Sequence, residues 1–257
     1  MLTVTILGSG NLATHLFKAL NASEEVIINQ WYSRNPKTIK AFEKTVNIIS
    51  DINDLEEADV YFTAISDDAI AAFTEKLPFK DRLVVHCSGN VPMSALSPKN
   101  KRGVFYPLQT FSKERATDFN VIPICIEAED QEHLILLKKI GSKISSTVHE
   151  INTEQRKALH LAAVFINNFV NHLYHIGHEI CDVNQVPFHI LKPIIEETTK
   201  KIMDLNPIDA QTGPAKRNDR NTIENHINNL EQHLPDYTAI YKTLTSSILN
   251  TYGREKL

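Results

Sequence analysis

The opening segment of the chain constrains it most. Leu2–Leu7 is an apolar run of strand length that stops at Gly8, and Asn11–Leu20 follows with a helical pattern. Between them, Gly8-Ser9-Gly10-Asn11-Leu12-Ala13 fits the spacing G-x-G-x-x-G/A. Each small residue has a physical role. Gly8 permits a tight turn, Gly10 allows backbone to approach a pyrophosphate, and Ala13 lets the helix pack closely on the strand. The helix N-terminus then offers unpaired N–H groups and a partial positive charge to an anion.

The next residues repeat the alternation. Apolar runs at Val26–Tyr32, Val46–Ile49, Asp59–Ile65 and Leu83–Cys87 read as strands, with helical patterns at Pro36–Lys44 and Asp67–Leu77. Strands separated by helical stretches of about 10 residues imply βαβ units and a parallel sheet. Val104–Tyr106, Ile122–Ile126 and Ile144–Val148 can extend that sheet. After about Glu150 the texture changes. Thr153–Cys181 contains no proline, and Leu161, Ala162, Phe165, Phe169, Leu173, Ile176 and Ile180 form a helical stripe. Further helical patterns cover Pro187–Leu205, Thr222–Leu234 and Pro235–Tyr252. The expected architecture is α/β: a Rossmann-like, mostly parallel sheet over residues 1–150, then an all-helical domain over 151–257.

The end of the second strand bears on the choice of dinucleotide. An NAD site usually carries Asp or Glu about 20 residues past the glycines, to hold the ribose 2′-hydroxyl. Ser33-Arg34 stands there instead. An arginine can pair with a 2′-phosphate through two N–H donors, and a serine can add its hydroxyl. Charge-assisted bonds of ~1.5–3 kcal/mol correspond to a preference for NADP of about 10- to 100-fold. Ala64, Ile65 and Ser66 end the fourth strand and Ser88 follows the fifth, where ligands of open α/β sheets lie. Cys87 reads as a packed strand residue, since a free cysteine is usually a small buried hydrophobe.

Composition excludes some classes. Lys+Arg is 27 against Asp+Glu 31, a net charge of -4, which suits no general nucleic-acid binder. No apolar run approaches the ~18 residues of a membrane span. The start lacks the basic n-region of a signal peptide. Three scattered cysteines form neither a disulfide framework nor a CxxC zinc pair, so a cytoplasmic setting is expected. The eleven histidines include His172, His175 and His178 at i, i+3 spacing, but no clean third ligand completes a metal site, and none is expected.

Together GSGNLA, YSR and AIS resemble the superfamily of β-hydroxyacid dehydrogenases, ketopantoate reductases and pyrroline-5-carboxylate reductases. The N-terminal part is also similar to deazaflavin-dependent NADP reductases. HCSG at 86–89, YPLQTF at 106–111, HLAAVFINNF at 160–169 and TGPAKRND at 212–219 are similar to two-domain proteins that join a Rossmann-like domain to a helical domain of unknown function. The resemblance implies hydride transfer between NADP(H) and a small carbonyl, imine or hydroxy-acid substrate in a cleft between the domains, and a homodimer built on the helical domain.

The superfamily often places Lys and Asn on the first long helix of the second domain. Here no Lys matches, and His160 and Asn168 occupy the comparable stretch. A histidine, with its ordinary pKa of ~6.5, suits a proton donor, and an asparagine amide can polarise a substrate oxygen. Arg217, in the Gly-Pro loop, can clamp a carboxylate or phosphate, with Asp219 either orienting it or capping the next helix. Gln109 and Thr110 either reach the cleft or form a structural turn. On a regular helix of about 100° per residue, His160, Asn167, Asn171 and His178 fall on one line, which fits a solvated polar face as well as a cleft-facing stripe. An NADP-binding sensor without turnover, and an enzyme using another nucleotide, are the rival readings.

Overall fold

A computed structural model of the protein describes residues 1–252. Eight strands form one sheet: β1 (Leu2–Leu7), β2 (Val26–Tyr32), β3 (Asn47–Ile49), β4 (Val60–Thr63), β5 (Leu83–His86), β6 (Lys101–Pro107), β7 (Ile124–Ala128) and β8 (Val148–Glu150). Their order is β3-β2-β1-β4-β5-β6-β7-β8. All neighbours are parallel except β6 and β7. The strand order reverses beside β1, and that reversal opens a crevice at the carboxyl ends of β1 and β4.

Burial explains the strand sequences. Every residue of β4 and β5 is buried, as expected for central parallel strands covered on both faces. On one face α1 (Asn11–Asn21) packs Leu16, Phe17 and Leu20 into a core with Val4, Ile6 and Trp31. A further helix, α3 (Gln131–Gly141), sends Leu134, Leu137 and Ile140 into the same core. Asp130 caps it, accepting the His133 N–H at 2.9 Å. On the other face Ile70, from α2 (Ile70–Thr74), joins Leu7, Tyr61 and Val84.

Several boundaries differ from the sequence reading. Pro36–Lys44 forms two 3-10 turns, Pro36–Thr38 and Lys40–Phe42, because Ile39 leaves helical geometry at φ -122 and is the buried anchor of an otherwise charged stretch. Ile144 lies in the turn after α3, and only Val148 of that run enters a strand. The expected single helix over Thr153–Cys181 is α4 (Thr153–Ala163), a π-helical segment Val164–Phe169, and α5 (Val170–Val183). The chain divides into compact units Met1–Val164 and Phe165–Leu257, so α4 belongs with the sheet.

The second unit is helical, with α6 (Lys192–Asp204), α7 (Pro207–Ala210), α8 (Arg220–His233) and α9 (Thr238–Tyr252) after α5. The apolar stripe along α4 and α5 is mostly uncovered: of its seven members only Ile176 is buried. No described helix is long and apolar enough to cross a membrane.

Candidate active site

A cavity of about 650 Å³ lies over the crevice, within the size range of small-molecule and cofactor sites. Gly8, Ser9, Gly10, Asn11 and Leu12 line it from the β1–α1 turn. Ser33 and Arg34 line it from the end of β2, and Ala64, Ile65 and Ser66 from the end of β4. Sequence reasoning did not foresee Tyr32, Asn35, Ile52, Phe73 and Lys76, which also face it. Tyr32 closes β2 and opens the YSR stretch; the others belong to turns and short helices that carry no motif, and only the register of the sheet brings them over the crevice.

The glycine turn is held from several sides. Gly8 donates its N–H to the Tyr32 carbonyl at 2.9 Å, and the Trp31 indole N–H donates to the Gly8 carbonyl at 2.6 Å. Gly8 has φ +122, and a Cβ there would sit 2.2 Å from the Ala64 carbonyl oxygen, so conformation and packing both require glycine. Gly10 differs. Its φ of -74 and ψ of -176 suit any residue, and nothing lies within 4 Å of where its Cβ would be. The space in front of Gly10 is cavity. α1 begins there with no side-chain cap and no acidic residue in its first turn. Bare amides, a missing Cβ and a cavity of this size fit the pyrophosphate of a dinucleotide.

Two serines have other work than expected. Ser33 is 2% exposed. Its hydroxyl lies 2.9 Å from Ser9 Oγ and 3.0 Å from the Asn35 carbonyl, and it accepts the Asn35 N–H at 3.2 Å. Ser33 therefore ties the β2 turn to the glycine turn and leaves Arg34 exposed beside the cavity. Ser88 does not line the cavity. Its buried hydroxyl accepts the N–H groups of Asn90 and Val91 at 3.1 and 3.0 Å, folding the loop after β5. The Asn11 side-chain amide donates to the Phe111 carbonyl at 3.0 Å. Cys87 is a buried strand-end residue, and burial pushes its thiol up to about 12.

Arg34 and Lys76 are the charged residues of the cavity lining, and no carboxylate joins them among the described residues. A chain of net charge -4 thus presents a cationic site at the β2 end of the crevice.

His160, near the end of α4, is half-buried, with Nδ1 3.3 Å from the Tyr106 hydroxyl. Behind it lies a polar cluster. Arg156, 1% exposed, pairs with Glu127 and donates to the Val91 carbonyl at 2.6 Å. His86 is buried, and burial first, then the nearby Arg156 charge, pushes its pKa down to about 3.

Asn168 is exposed within the π-helical segment, and Arg217 is exposed in the loop before α8. The π segment Val164–Phe169 interrupts the regular 100° wheel on which the alignment of His160 with Asn167, Asn171 and His178 rests. Asp219 caps α8, accepting the Thr222 N–H at 3.2 Å. Gln109 turns its side chain back to accept the Thr110 N–H at 2.8 Å. No cluster of three metal-ligating side chains occurs among the described residues.

Comparison with known proteins agrees with this geometry. The crystal structure of a "putative NADP oxidoreductase" from Bacteroides fragilis is 38% identical over 97% of this chain and 98% of that one, with a TM-score of 0.88. The chain belongs to the same family. Residues 3–90 match the family described as NADP oxidoreductase, coenzyme F420-dependent, and residues 122–248 match the domain of unknown function DUF2520. A Thermotoga maritima protein shares the fold at 22% identity, with 97% and 99% of the two chains covered and a TM-score of 0.81. So does a pyrroline-5-carboxylate reductase from Coxiella burnetii, at 14% identity, 98% coverage of both chains and a TM-score of 0.56. No curated protein matches the sequence. This is an oxidoreductase family on a pyridine-nucleotide-binding fold.

Proposed function

We propose that the protein is an NADP(H)-dependent oxidoreductase acting on a small carbonyl, imine or hydroxy-acid substrate. The observation that carries the choice of NADP is the cavity lining, which holds Arg34 and Lys76 and no carboxylate among the described residues. The glycine turn and the amides of α1 would hold the pyrophosphate. Arg34 and Lys76 would face the 2′-phosphate, and Ile52 and Phe73 supply apolar surface suited to an adenine. The bound dinucleotide supplies or accepts hydride at its nicotinamide ring. His160 belongs to the protein's proton-supplying machinery, Asn168 serves as an amide donor to a substrate oxygen, and Arg217 as an anchor for an anionic substrate group.

Calorimetric titration tests the cofactor. NADPH is expected to bind about 10- to 100-fold more tightly than NADH, and Arg34→Asp to reverse the order, because a carboxylate repels the phosphate and accepts the ribose hydroxyl. Equal affinities in the wild type overturn the NADP assignment.

The second unit is proposed to pair with a second copy of the chain. Phe165 is 60% and Ile166 76% exposed, and Phe169, Ile190 and Ile194 are exposed with them. Apolar surface of this extent on a helical domain is typical of an interface. The resemblance to superfamily members, whose helical second domains often make dimers, implies the same pairing here. Light scattering should give twice the 29.1 kDa chain mass at micromolar concentration; a monomer there refutes the pairing. The three cysteines are free and buried, which suits a cytoplasmic protein.

A further inference from the structure

We propose that Tyr106 and His160 form the proton-donating pair of the hydride-transfer site, with the Tyr106 phenol as the group that meets the substrate. The proposal rests on the dinucleotide reading of the cavity and adds a catalytic residue to it.

The sheet register supplies the first argument. His86 of β5 pairs with Thr63 of β4 on one side and Val104 of β6 on the other, all three strands running parallel. β4 and β5 end at this level, while β6 runs on through Tyr106 to Pro107 at the carboxyl edge. Neighbouring strands are about 4.8 Å apart, so the end of β6 lies roughly 10 Å across the sheet from β4. The cavity runs along this edge from Arg34 past the glycine turn to Ser66. Continued in the same direction, it meets Gly89 after β5 and then Tyr106 at the end of β6.

The second argument is the fit around the pair. A Cβ on Gly89 would lie 2.7 Å from His160 Nδ1, 2.7 Å from Tyr106 Cζ and 2.9 Å from the Tyr106 hydroxyl. The missing Cβ lets the loop after β5 lie directly against both rings, and any larger residue there would displace them. The position is not otherwise demanding, since Gly89 does not adopt a positive φ. That loop is fastened to α4, which carries His160: Arg156 donates to the Val91 carbonyl, and the Met93 N–H donates to Thr153 Oγ1 at 3.4 Å. A buried arginine and a turn of α4 therefore fix the loop, the phenol and the imidazole as one unit.

The third argument is protonation. Burial pushes the Tyr106 phenol up to about 12, with Cys125 and Asp67 adding to the rise and Arg156 opposing it. The phenol stays protonated at neutral pH and so is available to donate. Asp67 follows the cavity-lining Ser66 directly, which places the phenol within electrostatic reach of that end of the cavity.

In the reducing direction a substrate C=O or C=N carbon takes a hydride, for which a reduced pyridine dinucleotide is the donor. The π electron pair moves onto oxygen or nitrogen, and the Tyr106 O–H bond breaks to give that atom its proton. The His160 Nδ1–H proton then restores the phenol, and solvent reprotonates the half-exposed imidazole. One hydride and one proton are consumed, and both residues return to their starting state.

The test uses the full-length protein labelled with [ζ-13C]tyrosine and [15N]histidine, with resonances assigned through Tyr106→Phe and His160→Gln. NADPH is expected to move the Tyr106 and His160 resonances. Adenosine 2′,5′-bisphosphate, which lacks the nicotinamide riboside, is expected to occupy the other end of the cavity and leave them in place. NADPH binding with both resonances unmoved overturns the pair. Failure of either compound to bind overturns the cavity reading itself, a separate outcome. With 1-pyrroline, butanal and 2-oxobutyrate as acceptors, Tyr106→Phe should lower kcat about 100-fold or more where the wild type turns over, with NADPH affinity within about twofold. Undiminished turnover in that variant refutes the proton-donor role.

Discussion

Gly10→Val is expected to leave the protein folded and unable to bind a pyridine dinucleotide. Valine tolerates the backbone conformation, since φ is -74 and ψ -176, an extended geometry open to any residue. Packing tolerates it as well, because nothing within 4 Å meets the new Cβ. The added side chain instead fills the space before the bare amides of α1, where backbone must come within hydrogen-bonding distance of the pyrophosphate. The expected loss is about 100-fold or more in affinity, equivalent to about 2.7 kcal/mol, with circular dichroism unchanged. Gly8→Val supplies the contrast. Its Cβ would overlap the Ala64 carbonyl at 2.2 Å on a backbone with φ +122, so that variant should lose its fold. A Gly10→Val protein that still binds NADPH with wild-type affinity would reduce the glycine turn to a structural feature.

The difference between these two glycines shows what sequence could and could not reveal. The strand, the G-x-G-x-x-A spacing and the following helix placed the turn, because local periodicity and turn chemistry agree there. Arg34 was legible for the same reason, lying one residue past Ser33 at the end of a strand. The role of Ser33 was not. Its hydroxyl is taken up by Ser9 and Asn35, and such a partner depends on how β1 and β2 pair. Lys76 and Phe73 reach the cavity only through the β1–β4 crossover, a long-range outcome that periodicity does not encode. Ser88 stood at the right strand end, but its hydroxyl was needed to fold its own loop.

The helical half misled for a different reason. The stripe from Leu161 to Ile180 has the correct period for a buried face, yet most of it is exposed in a single chain. Periodicity reports that a face is apolar and does not say which molecule covers it. The π-helical turn at Val164–Phe169 also interrupts the regular wheel on which the line from His160 to His178 rests. His160 was found by resemblance to a polar position on that helix. Its partner Tyr106 lies 54 residues earlier, and although it opens the YPLQTF stretch at 106–111, that stretch alone assigns it no catalytic role.

His86 should make the protein lose stability between pH 7.5 and 5, before most carboxylates respond. The ring is completely buried, with Nδ1 accepting the Ser88 N–H at 3.2 Å. Burial, then the adjacent Arg156 charge, lowers its pKa from 6.5 to about 3, and the Pro92 carbonyl offsets this only in part. Between those two values the unfolded chain binds a proton that the folded protein does not. Stability therefore rises with pH across the window and falls as pH drops through it. From pH 7.5 to 5 the loss from this one residue is about 2 kcal/mol, with the slope approaching 1.4 kcal/mol per pH unit below 6. The carboxylates of Glu75, Glu129 and Asp130 have lowered pKa values, so their contributions are lost only as pH falls below the ordinary carboxylate range. Urea denaturation at the two pH values reads the difference. His86→Asn keeps an acceptor for the Ser88 N–H and removes the titrating ring, so its stability should change by about 2 kcal/mol less over the same interval. Equal slopes in wild type and variant would mean that His86 takes up its proton within the fold, with Arg156 beside it, and that the cluster behind Tyr106 and His160 is open to water.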